Sequence, residues 1–163
     1  MKTLLIVYHS MTGGTLQMVQ AAAAGARAQT SVHVELIPAA LAVPEQLLAA
    51  DGYLFATPEN LAAISGLLKD FFDRSYYAAL DRIAGRPYAT LICAGSDGRN
   101  AAQQIERIAT GWRLKRIAEA LIVCTHAQTP EHILRAKRIE PGQLQLCTEL
   151  GATIAAGIEL GIY

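Results

Sequence analysis

The stretch Tyr8-His9-Ser10-Met11-Thr12-Gly13-Gly14-Thr15-Leu16, YHSMTGGTL at residues 8–16, decides the fold of this chain. A run of apolar β-formers, Leu4-Leu5-Ile6-Val7-Tyr8, ends at it, and a helical pattern begins at its far end. Residues 3–8 form a short continuous apolar run, the signature of a strand buried on both faces. Residues 14–28 place Leu16, Val19, Ala23 and Ala26 on one helical face. Three hydroxyl side chains (Ser10, Thr12 and Thr15) and two glycines lie between strand and helix, with no lysine or arginine among them. Glycine lets a backbone approach a ligand without a Cβ in the way. The helix start points free N–H groups and its positive end at the same spot. Such a loop binds an anion, most simply a phosphate, by hydrogen bonds alone. A helix capped by Ser10 or Thr12 after a glycine turn needs only one of the three hydroxyls.

The rest of the chain repeats the strand-then-helix order. Strands are expected at 31–37, 52–57, 86–95 and 120–125, and helices near Pro44, at 63–74, at 99–110 and at 141–160. Alternating strands and helices imply a parallel sheet with helices on both faces. The expected fold is α/β, a doubly wound sheet of five parallel strands in the order 2-1-3-4-5, forming a single domain over residues 1–163. That order puts a crevice beyond the carboxyl ends of strands 1 and 3, among loops 9–15, 57–63 and 94–100.

Composition narrows the function classes. The 163 residues are 52% hydrophobic and 17% charged, which argues against disorder. Formal net charge is 0, so no basic face is expected for nucleic acid, nor a broad field to steer a charged protein. No apolar run approaches the roughly 18 residues of a membrane span. The start of the chain lacks a signal-peptide layout. Cys93, Cys124 and Cys147 are odd in number and widely spaced, which fits reduced thiols in a cytoplasmic protein.

Two nucleotide-binding fingerprints are absent: the loop has no G-x-x-x-x-G-K-[ST] lysine, and no G-x-G-x-x-G occurs. What residues 10–15, SMTGGT, do resemble is the phosphate loop of the flavodoxin-like FMN-binding superfamily, S/T-x-T-G-x-T, at every fixed position. ATPENLAAISGLLKDFFDR, 56–74, is similar to the second flavin loop and its helix in the multimeric NAD(P)H:quinone reductases and NADPH-dependent FMN reductases of that superfamily. AGRPYATLICAGSDG, 84–98, is similar to their strand leading to a third, glycine-containing loop. The resemblance covers most of the chain, and its loops coincide with the crevice that strand order predicts.

The resemblance implies FMN as cofactor. Ser10, Met11, Thr12, Gly13, Gly14 and Thr15 would hold its phosphate. Thr57, Pro58, Glu59, Asn60 and Leu61 would run along the ring, with a backbone amide near N5. Gly95, Ser96, Asp97 and Gly98 would present amides to the pyrimidine edge, stabilising negative charge on the reduced ring. Asp97 suits that place only with its carboxylate turned away, and Glu59 and Asn60 also suit ordinary turn polarity.

Electron-carrying flavodoxins are usually strongly acidic and often sandwich the ring between aromatics. This chain has no net charge, and loops 57–63 and 94–100 hold no Trp, Tyr or Phe. An open ring face receives a nicotinamide or a quinone, so the expected function is an oxidoreductase taking electrons from NAD(P)H to a small-molecule acceptor, a quinone or a flavin. A single-electron carrier is the alternative. No catalytic side chain is assigned. Tyr76, Tyr77 and Trp112 either pack within the protein or complete a site in a homo-oligomer.

Other constellations are weaker. Cys93 to Arg99 has the C-x5-R spacing of thiol phosphatases, with Asn100 in place of the usual Ser or Thr. Cys93, Cys124 and His126 lack metal-site spacing. His9, His33 and His132 read as polar residues at element edges. The acidic cluster of a receiver domain is missing, and a binding module that has lost its ligand would not need an intact SMTGGT.

Overall fold

The computed structural model describes residues 1–163. Its elements are β1 (Lys2–Tyr8), α1 (Gly14–Arg27), β2 (Val32–Pro38), α2 (Pro44–Ala49), β3 (Gly52–Asn60), β4 (Ala63–Ile64), α3 (Gly66–Ala79), β5 (Pro87–Ala94), α4 (Arg99–Gly111), β6 (Lys115–Arg116), β7 (Leu121–Cys124), α5 (Pro130–Leu134) and α6 (Pro141–Leu160).

The α/β architecture is as expected, but the sheet has seven strands, not five. Its main path runs β2-β1-β3-β5-β6, with β7 also paired to β5 and β4 paired to β3. All pairs are parallel except β3–β4. Both extra strands have a local cause. β6 pairs with the start of β5 and β7 with its end, and the register advances by two residues between them, so this edge is interrupted. β4 arises because β3 runs on to Asn60 and folds back through Leu61 and Ala62. Both turn residues have positive φ, 50° and 60°. That is the backbone of a two-residue type I′ hairpin, normally built from Asn-Gly. The helix expected at 63–74 therefore starts later, at Gly66, where Ser65 accepts a hydrogen bond from the Leu68 N–H.

Side chains of the central strands alternate between two cores. Leu5, Val7 and Phe55 face α2, α3 and α4, while Leu4, Ile6 and Leu54 face α1 and α6. In the second core, α1 and α6 approach closely. At Gly25 an added Cβ would collide with the Thr148 carbonyl of α6, and at Gly151 with the Ala22 carbonyl of α1. The two helices cross backbone to backbone at these glycines.

Helix propensity favours alanine over glycine by about 1 kcal/mol. Here the collision is with rigid carbonyls, so overpacking decides the sign. Gly25→Ala and Gly151→Ala are each expected to destabilise the fold by about 1–3 kcal/mol in urea unfolding.

Candidate functional site

A cleft of about 530 Å³ opens at the carboxyl ends of β1, β3, β5 and β7. Its walls are the β1–α1 loop, the β3–β4 turn, the β5–α4 loop and the segment after β7.

The β1–α1 loop supplies donors. Gly13, with φ 89°, occupies the position before α1, and its own residue gives no side-chain cap. Ser10 Oγ accepts from the Leu16 N–H at 3.1 Å, so one helix-start donor is capped from outside and the Ser10 hydroxyl proton stays free. Among backbone hydrogen bonds outside the regular elements, none is donated by residues 10–15. Thr15 Oγ1 is buried without any partner. Buried hydroxyls normally find one. An unpaired hydroxyl and unpaired amides at a helix N-terminus make this an acceptor-hungry pocket of the kind a phosphate satisfies.

Gly14 is needed for a different reason. A Cβ there would lie 2.5 Å from Cys93 Sγ. Cys93 thus forms the floor under the loop.

The second and third loops are tied together. Glu59 Oε1 accepts from the Gly98 N–H at 2.9 Å. The Asn100 side-chain amide donates to the Ala62 carbonyl, and Gln104 Oε1 accepts from the Ile64 N–H at 2.8 Å. These bonds hold the strained turn at Leu61 and Ala62 against the start of α4.

Ser10, Met11, Thr12, Gly14, Thr15, Pro58, Glu59, Asn60, Leu61, Gly95 and Ser96 all line the cleft, whereas Gly13, Thr57, Asp97 and Gly98 do not. Gly13 shapes the turn from behind. Thr57 is fully buried, its hydroxyl donating to the Pro58 carbonyl and accepting from the Ser65 N–H. Gly98 has its amide on Glu59, so it has none to offer a ligand. Asp97 turns outward onto Arg99, Oδ1 to Nε 2.6 Å, and this pairing holds its carboxyl below the usual range.

The loop between β7 and α6 was not foreseen. Thr125, Ala127, Ile133 and Lys137 line the cleft, and so do Cys93 and Ala94. The Lys137 N–H donates to the Thr12 carbonyl at 2.8 Å. Gln17 Nε2 donates to the Gly13 and Lys137 carbonyls, and its Oε1 accepts from the Ile139 N–H. A lysine therefore does reach the loop, from far along the chain. Its Nζ donates to the carbonyls of His132, Ile133 and Arg135 at the end of α5. Thr129-Pro130-Glu131 carried the signal for α5: Thr129 caps it and Pro130 opens it.

The phosphatase geometry does not form. Burial pushes the Cys93 thiol up to about 11, and the Arg99 guanidinium is engaged outside with Asp97. No three His, Cys, Asp or Glu side chains gather into a metal-binding group, so Cys93, Cys124 and His126 do not form a ligand set. Trp112 is buried in the core, stacked edge-on against Phe72, and has no access to a second subunit's site. Tyr76 and Tyr77 stack on each other at the surface of α3. No helix is long and apolar enough to cross a membrane.

A family model for NADPH-dependent FMN reductase matches residues 31–128. The chain belongs to that family. The NADPH-dependent FMN reductases here fall within the flavodoxin-like FMN-binding superfamily, as the other likenesses agree. A flavodoxin from Aquifex aeolicus is 36% identical over 73 residues, 45% of this chain and 40% of that protein. An NAD(P)H dehydrogenase (quinone) from Acidithiobacillus ferrooxidans is 28% identical over 46% of this chain and 48% of its own. The chain thus matches less than half the length of either curated relative. An archaeal flavodoxin structure superposes with a TM-score of 0.81 at 19% identity, over 96% of this chain and 99% of that one. A WrbA-like flavodoxin from Agrobacterium tumefaciens gives 0.76 at 20% identity, over 98% and 99%. These last two establish the shared fold.

The buried thiols make the fold sensitive to alkali. Burial raises Cys93 and Cys147 from 9.0 to about 11. Above pH 9 the unfolded chain sheds protons that the folded chain keeps, so stability is lost as pH rises from about 9 to about 11. Urea midpoints are expected to fall across that window, and Cys93→Ala is expected to flatten the fall.

Proposed function

We propose that this chain binds FMN in the cleft and works as an oxidoreductase, passing electrons from NAD(P)H to a small acceptor, a quinone or a flavin. One observation carries the reading. The cleft joins unpaired donors at a helix N-terminus to a mouth without any Phe, Tyr or Trp in its lining. The donors suit the phosphate, and the bare mouth leaves a ring face open to a second planar molecule.

Each wall has a separate task in this proposal. The Ser10 and Thr15 hydroxyls and the free amides of residues 11–15 hold the phosphate. Pro58, Glu59 and Asn60 flank the ring, with Glu59 fixing the spacing between two loops through Gly98. Gly95 and Ser96 take the opposite edge. Met11 from the β1–α1 loop, Leu61 from the β3–β4 turn and Ile133 from α5 are exposed apolar side chains at the mouth, and they exclude water from a stacked substrate. FMN, when bound, supplies a ring that accepts and gives up hydride. The chain's own contribution is position and electrostatics, and no side chain is assigned a proton-transfer role.

Removing the Thr15 hydroxyl deletes a charge-assisted hydrogen bond worth roughly 1.5–3 kcal/mol. Thr15→Ala is expected to weaken FMN binding by roughly tenfold to a hundredfold in fluorescence titration. Equal affinity in wild type and variant removes the phosphate assignment.

The single-electron carrier remains the competing reading, favoured by the higher local identity to the Aquifex flavodoxin. The FMN-loaded protein is expected to bleach directly on anaerobic addition of NADPH or NADH, and to regain its colour on addition of a small quinone. A protein that stays coloured with both nucleotides, and reduces only through a partner reductase, is a carrier.

A further inference from the structure

A second cleft, of about 690 Å³, lies on the other side of the segment that follows β7. It shares Thr125, Ala127 and Lys137 with the first, so the two are separated by a single wall. Three cations, Arg135, Lys137 and Arg138, line it against one carboxylate, Glu140. Glu131, the other acid of the segment, bonds to Thr129 and to its own backbone and is not in the lining. Lys137 is committed to α5 through three carbonyls. Arg135 and Arg138 are exposed, and neither guanidinium enters an ion pair or a side-chain hydrogen bond. Six of the chain's other Lys and Arg residues are ion-paired, among them Arg74, Arg99 and Arg116. The chain as a whole is neutral, yet here two unspent forks face one concavity.

We propose that this second cleft is a nucleotide-phosphate site: Arg135 and Arg138 take the phosphate groups of the dinucleotide cosubstrate while its nicotinamide enters the first cleft. This rests on the nicotinamide-donor reading above. A hydride donor must bring its ring to about 3–3.5 Å from the acceptor. Its phosphates, a nucleotide's length behind, then need a cationic surface that adjoins the ring site without overlapping it. The shared wall at Thr125 and Lys137 meets that requirement. The planar guanidinium matches phosphate oxygens in bidentate fashion. A concave groove also suits a small molecule better than the flatter surface of a protein partner. Two free arginines favour the donor that bears the additional 2′-phosphate, so Arg135 and Arg138 set the preference for NADPH over NADH.

The test uses the full chain loaded with FMN. 2′,5′-ADP, which carries the phosphates but no nicotinamide, is titrated calorimetrically into wild type, Arg135→Gln and Arg138→Gln. In parallel the KM for NADPH and for NADH, kcat, and FMN affinity are measured. Each substitution is expected to weaken 2′,5′-ADP by about tenfold or more. The NADPH KM is expected to rise in step and the NADH KM to rise less, with kcat and FMN affinity unchanged. Equal 2′,5′-ADP affinity in all three proteins, or no binding to wild type, overturns the proposal. If NADPH bleaches FMN with the same KM in all three, the donor reading survives and this site falls. If 2′,5′-ADP binds through the arginines while neither nucleotide bleaches FMN, the phosphate site stands and the donor reading falls.

Discussion

Gln17 joins what the chain order keeps apart. One side-chain amide satisfies the Gly13 carbonyl, the Lys137 carbonyl and the Ile139 N–H, and the Lys137 N–H closes onto the Thr12 carbonyl beside it. A loop that must leave its amides unpaired has little to hold it in place. Unsatisfied N–H groups are costly and invite local rearrangement. The Gln17 clamp takes up the carbonyls of this loop and leaves the N–H side open, so the turn is held by its acceptors while its donors stay free. Cys93 underneath, against Gly14, prevents the loop from settling inward.

The turn at Leu61 and Ala62 follows a similar logic. Left-handed backbone costs roughly 1–2 kcal/mol for a residue with a Cβ. Neither residue relieves that cost locally, so the bonds from Asn100, Gln104 and Glu59 must offset it from α4 and the loop before it. The second and third walls of the cleft are therefore one mechanical unit, distinct from the first. Strain of this kind persists where the surroundings over-determine it, and such places cluster at ligand clamps.

How much of this was legible in the sequence depended on the range over which each feature is encoded. β1, its loop and α1 are written in adjacent residues: a buried-strand run, hydroxyls and glycines, then a helical stripe. The strand alternation placed all the long strands for the same reason. The β4 hairpin was invisible because Leu-Ala carries none of the turn chemistry that its backbone demands. Ala63 and Ile64 have apolar spacing that continues the helical stripe behind them, so the pattern extends helix α3 too far toward its start. β6 is two residues long, and its existence depends on a register slip against β5 that no local pattern records. Thr57 and Gly98 fit the loop motif by residue type, which does not record that the Thr57 hydroxyl and the Gly98 amide bond within the protein itself. Lys137 was missed because its contact with Thr12 spans most of the chain.

Net charge was the coarsest of the sequence measures, and Lys137 shows why. At physiological salt the Debye length is about 8 Å, so a site responds to the charges lining it and hardly at all to those across the molecule. A total of zero is compatible with three cations facing one carboxylate in one groove. Lys137 itself is neutralised in part by the carbonyl end of α5, where its ammonium opposes the negative pole of the helix. That placement fixes the segment's path and turns its neighbours Arg135 and Arg138 outward. The same backbone, one residue wide at Lys137, touches the β1–α1 loop on one side and the second cleft on the other.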